Sequence, residues 1–284
     1  MIGHKIGQVV SAGALLSLVL ASAASAHAAC ETKASHKAAV AEVTDGQTLR
    51  LDDGSEVRLT GVLSPQAPNW WKDDKPWPPA GAARKALRAL VGSDNVELRF
   101  AEGEEQRDRH DRFLAQVFVL RGNERIWVQN HMISTGFARV VSFAGHRACV
   151  RQLLEQEQRA RNEGVGLWRT GWFVALQAGS TDALLKRRGS FQLVEGIVRS
   201  VGKASKWTFL NFADDWRNDF TVAVAAKNRR KFQGSDIGLE GLKGKTIRVR
   251  GWIERWNGPA IKATHPEQIE VLNQEIDTHP SNTQ

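Results

Sequence analysis

The chain has no tyrosine, two methionines and two cysteines. Without tyrosine, any aromatic surface has to come from phenylalanine or from the ten tryptophans. Tryptophan serves as a stacking platform for bases and equally as a packing residue. Two cysteines, Cys30 and Cys149, leave room for a single disulfide. Beyond the first 28 residues no apolar run reaches membrane length. Acidic residues are the minority, 31 against 39 Lys and Arg, for a net charge of +8. This balance favours a polyanionic partner, although many exported proteins are basic without binding nucleic acid. There is no nucleotide-binding glycine loop, no zinc-ligand spacing and no Ser/His nucleophile motif. His265-Pro266-Glu267 is one tempting histidine context, and it reads as a turn, since one histidine without ligand partners does not make a metal site.

Residues 1–28 have the build of a secretory signal: Lys5, an apolar centre at Val9–Leu20, and small residues at Ala24-Ser25-Ala26 or Ala26-His27-Ala28. A membrane anchor is the competing reading, and the apolar centre is short for one. Cys30 follows Ala28-Ala29, but His27 stands where a lipoprotein signal carries leucine, which argues against lipid attachment. The expected location is the periplasm or outside the cell, where Cys30 and Cys149 would pair.

The most informative stretch is Val43–Gln66. Asp45-Gly46 ends one strand, Thr48–Leu51 forms the next, and Asp53-Gly54 turns into a third at Glu56–Val62. Arg58 lies on that third strand, and the chain leaves it at Ser64-Pro65. Further on come Asp108–Ala115, Val128-Gln129, Gly136–Val140, Leu153-Leu154-Glu155, Ala160-Arg161 and Gly166-Leu167-Trp168. In this order the motifs resemble those of the staphylococcal nuclease (thermonuclease) family over about one domain's length.

The resemblance implies an OB-type barrel with added helices. In the family two aspartates hold calcium, a glutamate positions the attacking water, and two arginines clamp the scissile phosphate. Carried over by motif, the arginines are Arg58 and Arg112. The aspartate positions hold Gln47 and Leu63, the glutamate position holds Gln66, and Ser64 stands where a backbone oxygen reaches the metal. Calcium needs several hard oxygen ligands, carboxylates among them, and an amide cannot act as a general base. Two guanidinium groups can still hold a phosphate. The alternative for Arg58 and Arg112 is ion pairing with Asp108 or Asp111. Asp45, Asp108 and Asp111 could build a different metal site, but aspartates beside tight turns usually bond the local backbone. No cofactor is expected, and calcium enters only if a rearranged site is active.

After Trp168 the composition changes. Residues 169–189 read as a linker with a short helix near Thr181–Lys186. Strands are expected at Phe191–Val201, Trp207–Phe212, Phe220–Ala225, Thr246–Ile253, Ala260–Ala263 and Ile269–Leu272, with a helix at Ala226–Phe232. This is an OB-like pattern. The fold class is therefore mainly β with accessory helices: a nuclease-type OB barrel at 38–168, a second OB-like barrel at 190–272, and a frayed tail at 273–284. Arg248, Arg250 and Trp252 alternate along one strand. With Trp207, Lys203, Lys206, Trp216 and Arg255 they suggest a basic, aromatic face for single-stranded nucleic acid. The opposite reading keeps Trp252 in the core. Asn69–Pro79 reads as a tryptophan-bearing loop ahead of a helix at Ala80–Val91.

The favoured function is an exported protein that binds nucleic acid or another polyanion through the two arginines, with catalysis weak or lost. The alternatives are an active metal-dependent phosphodiesterase with a rearranged site, and an envelope protein-interaction module.

Overall fold

The computed structural model describes residues 30, 32–68, 71, 75, 77–215, 218–233, 235 and 237–272. Residues 1–29 and 273–284, Trp216 and most of 69–76 lie outside the described residues. Among the described residues no helix is long and apolar enough to cross a membrane.

The first half is built from β1 (Lys33–Val43), β2 (Thr48–Leu51), β3 (Glu56–Leu59), β4 (Val62–Leu63), α1 (Pro78–Val91), β5 (Asn95–Phe100), β6 (Phe113–Arg121), β7 (Glu124–Trp127), α2 (Val128–Ser134), β8 (Arg139–Val140) and α3 (Val150–Asn162). Alternation puts Leu49 and Leu51 of β2 and Val57 and Leu59 of β3 inside. β1 pairs with β5 along its first part and with β2 along its last, with register shifts at Ala34/His36 and Val40/Glu42. Such bulges bend a strand, so one strand serves both sides of the barrel. β3 then runs parallel to β6 and closes the circuit β1-β2-β3-β6-β5-β1.

A departure from the sequence pattern comes from backbone sterics. The single strand expected at Glu56–Val62 is broken at Gly61, whose φ of 84° takes it into the left-handed region. Val62 and Leu63 turn away and pair with β8. α3 starts at Val150, directly after Cys149, whose φ of 64° cannot continue a helix. Cys149 is disulfide-bonded to Cys30, with the Cα atoms 4.9 Å apart. α1 follows its pattern: Pro78 and Pro79 start it, and Ala83, Leu87, Leu90 and Val91 form its buried stripe.

The second half contains β9 (Ala175–Gln177), α4 (Thr181–Leu185), β10 (Phe191–Ile197), β11 (Ser200–Lys203), β12 (Trp207–Asn211), β13 (Thr221–Ala225), α5 (Arg229–Gln233), β14 (Thr246–Trp252), β15 (Glu254–Trp256), β16 (Gly258–Ala263) and β17 (Ile269–Val271). The single strand expected at Phe191–Val201 is interrupted at Val198 and Arg199, through which the chain passes from β10 in one sheet to β11 in the other. β11 pairs with β12, β12 with β13, β13 runs parallel to β16, β16 pairs with β15, and β14 returns to β10. The circuit is that of the first barrel, and α5 sits between the third and fourth strands. The linker at 169–189 has the expected helix, α4, and also β9, which adds a parallel edge strand to β10.

Each barrel has its own core. A third apolar cluster joins them: Leu63, Val141, Ala160, Leu167 and Trp168 from the first half, Phe173 from the connector, and Phe191 and Leu193 from β10. Gly136 and Gly166 meet back to back beside it. A Cβ on Gly136 would lie 2.4 Å from the Val165 carbonyl oxygen, and one on Gly166 2.3 Å from that of Thr135.

Candidate functional site

Strand pairing brings the two candidate arginines together. Arg58 on β3 lies in register with Leu114 on β6, and Arg112 directly precedes β6. Burial lowers the Arg58 pKa, the like charge of Arg112 lowers it further, and Asp45 and Asp108 oppose the fall. No hydrogen bond or ion pair joins the Arg58 side chain to a described residue. Arg112 is held by Asp108: its Nε and Nη2 donate to Oδ2 at 2.8 and 2.6 Å, while its Nη1 has no described partner. The other Asp108 oxygen accepts from the backbone N–H of His110 and of Arg112. Burial pushes the Asp108 carboxyl up, but the bonds from Arg112 and the two amides outweigh it and hold the pKa at about 2.

The other motif positions lie at the β1–β2 turn and after β4. Asp45 accepts the Gln47 N–H at 2.7 Å and the Thr48 hydroxyl at 3.2 Å, so both its oxygens serve the turn. Gln47 is closed to solvent. Its side-chain oxygen accepts from Ser64 N–H at 3.0 Å, and its buried Nε2 has no partner. Gln66 is exposed. Asp45, Gly46, Ser64, Pro65, Gln66 and Arg84 line part of a cleft of about 310 Å³. Arg84, which the sequence motifs did not single out, donates from Nε to the Val43 carbonyl at 3.0 Å. Among the described residues no group of three or more His, Cys, Asp or Glu is placed to hold a metal ion. Leu63 sits in the cluster between the barrels, with Trp168, Phe191 and Leu193. A carboxylate there would face hydrocarbon rather than a cation.

Two comparisons with known proteins bear on this half of the chain. The profile of the family described as "Staphylococcal nuclease homologue" matches residues 56–170. Residues 56–170 are a staphylococcal nuclease-type domain. The matched segment of this nuclease-type domain contains Arg58, Leu63, Ser64, Gln66 and Arg112 and begins after Asp45 and Gln47. The chain is 29% identical over 115 residues to the "Probable endonuclease LCL3" of Phaeosphaeria nodorum, a match covering 39% of this chain and 37% of that protein. The chain therefore spans well under half the length of that relative.

Outside the nuclease-type domain the expected basic face is not an open surface. Arg250 is 1% exposed. Its Nη1 donates to the Val140 carbonyl at 3.0 Å, and its Nη2 donates to Glu157 at 2.8 Å and also to Glu270. Burial disfavours its charge, but Glu157 and Glu270 overcome this and raise the pKa. Arg248, also buried, pairs with Glu195 and Glu270. The expectation that both reach a ligand is corrected by a pattern invisible in one strand: their carboxylate partners come from α3, β10 and β17. Trp252, the alternating neighbour, is 41% exposed and stacks on Phe143 at 6.0 Å. Trp207 is half-buried and lies edge-on to Trp256 at 4.6 Å.

His265 also belongs to the seam. Its Nε2 is 2.7 Å from the Ser142 hydroxyl and its Nδ1 2.8 Å from that of Thr264. Burial lowers its pKa to about 4; Glu267 resists the fall, while Arg147 and Lys231 add to it. Residues 266–268 form the expected turn, as a single 3-10 turn, and Glu267 takes a forked ion pair from Arg147.

Proposed function

We propose that this is an exported, nuclease-derived protein that binds nucleic acid through Arg58 and Arg112 and cleaves it weakly or not at all. The observation that carries the reading is the pairing of Arg58, whose guanidinium has no bond to a described residue, with Arg112, in a site whose carboxylates are already committed. Both oxygens of Asp45 are used by the turn and both oxygens of Asp108 by Arg112 and its loop. A rearranged calcium site would have to break those bonds. A phosphate needs only to meet Arg58 and the spare Arg112 Nη1. The likeness to a protein named as an endonuclease supports nucleic acid as the polyanion. The disulfide and the leader-like residues 1–28 support export.

The test is oligonucleotide binding as a function of salt, with calcium-dependent cleavage assayed on the same preparation. Arg58→Ala should lower the slope of log affinity against log salt by about 0.7–0.9, one phosphate contact. Calcium should produce no strong cleavage in wild type. An unchanged slope, or robust cleavage abolished by Arg112→Ala, would sink the reading.

A further inference from the structure

The outer face of the β11–β12–β13–β16–β15 sheet carries three rings that are remote in sequence. Along β12, Thr208 and Leu210 point into the barrel, while Trp207, Phe209 and Asn211 alternate outward. Trp256 of β15 stands edge-on to two of them, 4.6 Å from Trp207 at 90° and 5.6 Å from Phe209 at 89°. The strand beside them is cut back to alanine: Ala225 lies opposite Trp207 and Ala223 opposite Phe209. Lys262 of β16 is in register with Ala223 and holds its ammonium 5.9 Å from the Trp256 ring and 2.5 Å from Glu254. Exposed Lys206 directly precedes Trp207. All three rings are half-buried, unlike the core aromatics Phe220 and Phe232.

We infer that this face binds single-stranded nucleic acid, with bases stacked on Trp207 and Trp256 and the backbone drawn by Lys206 and Lys262. Perpendicular rings make a corner in which a flat base can lie on one ring and meet the edge of the next. The alanine floor leaves that corner without a bulky neighbour. β12 and β13 are the second and third strands of their circuit, the face on which OB barrels take oligonucleotides, and aromatic–base stacking accepts any base. The inference rests on the nucleic-acid reading above, but on different residues in the other barrel.

The experiment uses the full mature chain and a labelled oligothymidylate at low salt, followed by fluorescence anisotropy. Trp207→Leu/Trp256→Leu keeps an apolar cover over the alanines and removes both stacking faces. Its affinity for the single strand should fall about tenfold or more, with duplex binding changed far less. Arg58→Ala/Arg112→Ala is measured in parallel. Loss in the arginine variant but none in a folded tryptophan variant overturns this inference and leaves the first-barrel reading standing. The reverse result overturns the first-barrel reading alone. As a check that needs no variant, a 5-bromouracil oligonucleotide crosslinked to wild type should mark peptides containing Trp207 or Trp256. Crosslinks confined to the first barrel, or no binding by wild type, overturn the inference.

Discussion

Arg250 of β14 crosses the seam and donates to Glu157 of α3 at 2.8 Å, with the two side chains 1% and 0% exposed. The same guanidinium meets Glu270, and Arg161 of α3 lies 3.5 Å from Glu157 and 3.8 Å from Glu270. Removing one member of a buried pair leaves the other charge without compensation, at a cost of about 3–5 kcal/mol. Arg250→Met should lower the unfolding free energy in urea by that order and leave the salt slope of nucleic-acid binding unchanged. Arg250→Met/Glu157→Gln should recover part of the loss, because the two residues are coupled.

Leu63 gives a second prediction. Substituting Leu63→Asp removes a side chain from the inter-barrel cluster, worth at least about 2 kcal/mol in lost burial, and adds the desolvation of a carboxyl. The melting temperature should fall clearly. The triple variant Gln47→Asp/Leu63→Asp/Gln66→Glu, which replaces all three missing acids, should still show no strong calcium-stimulated cleavage. A triple variant that melts like wild type and cuts with calcium would refute this.

His265 makes the seam sensitive to acid. Its folded pKa, about 4, lies below the ordinary value of 6.5. Between those values the unfolded chain binds the proton and the folded chain does not. Its contribution is therefore complete above about pH 6.5 and is lost as pH falls towards 4. Comparing wild type with His265→Gln by urea denaturation at several pH values should show a steeper decline in wild type within that window. Parallel curves would show that His265 does not carry the effect.

The bridge between Cys30 and Cys149 spans 119 residues. By the chain-entropy argument, a closed loop of that size is worth about 4–5 kcal/mol, less any strain. Cys149→Ser should therefore lose a large part of the stability, and denatured, unreduced wild type should show no free thiol on titration. Two titratable thiols would refute the bridge.

The parts of this architecture legible in the sequence are those set by short-range chemistry. Alternation at Thr48–Leu51 and Trp207–Asn211, the proline start of α1 and the Asp-Gly turns were all readable. So was Arg112 beside Asp108, since four residues around a tight turn can meet only in a few ways. Partners far apart in sequence were not. Arg248, Arg250 and Trp252 look equivalent along β14, yet the arginines are buried by acids 20 to 93 residues away and the tryptophan stays open. Trp256 gave a weak signal, the alternation of Glu254 and Trp256 before Asn257-Gly258, and only the path of β15 shows that it faces Trp207. Leu63 read simply as a missing ligand. Its role in the seam depends on where β10 is placed.

The connector between the barrels has a practical consequence for dissecting the protein. β9 is hydrogen-bonded along β10, and Ala178 and Leu184 are packed in the second core. A fragment cut at Ser190 would therefore begin with a bare strand edge and two vacancies, and such an edge pairs readily with a neighbouring molecule. Aggregation of that piece would describe the cut, not the barrel. A fair boundary for expressing it alone lies before Ala175, and any nick at the exposed turn Lys186–Gly189 would part β9 and α4 from the barrel they complete.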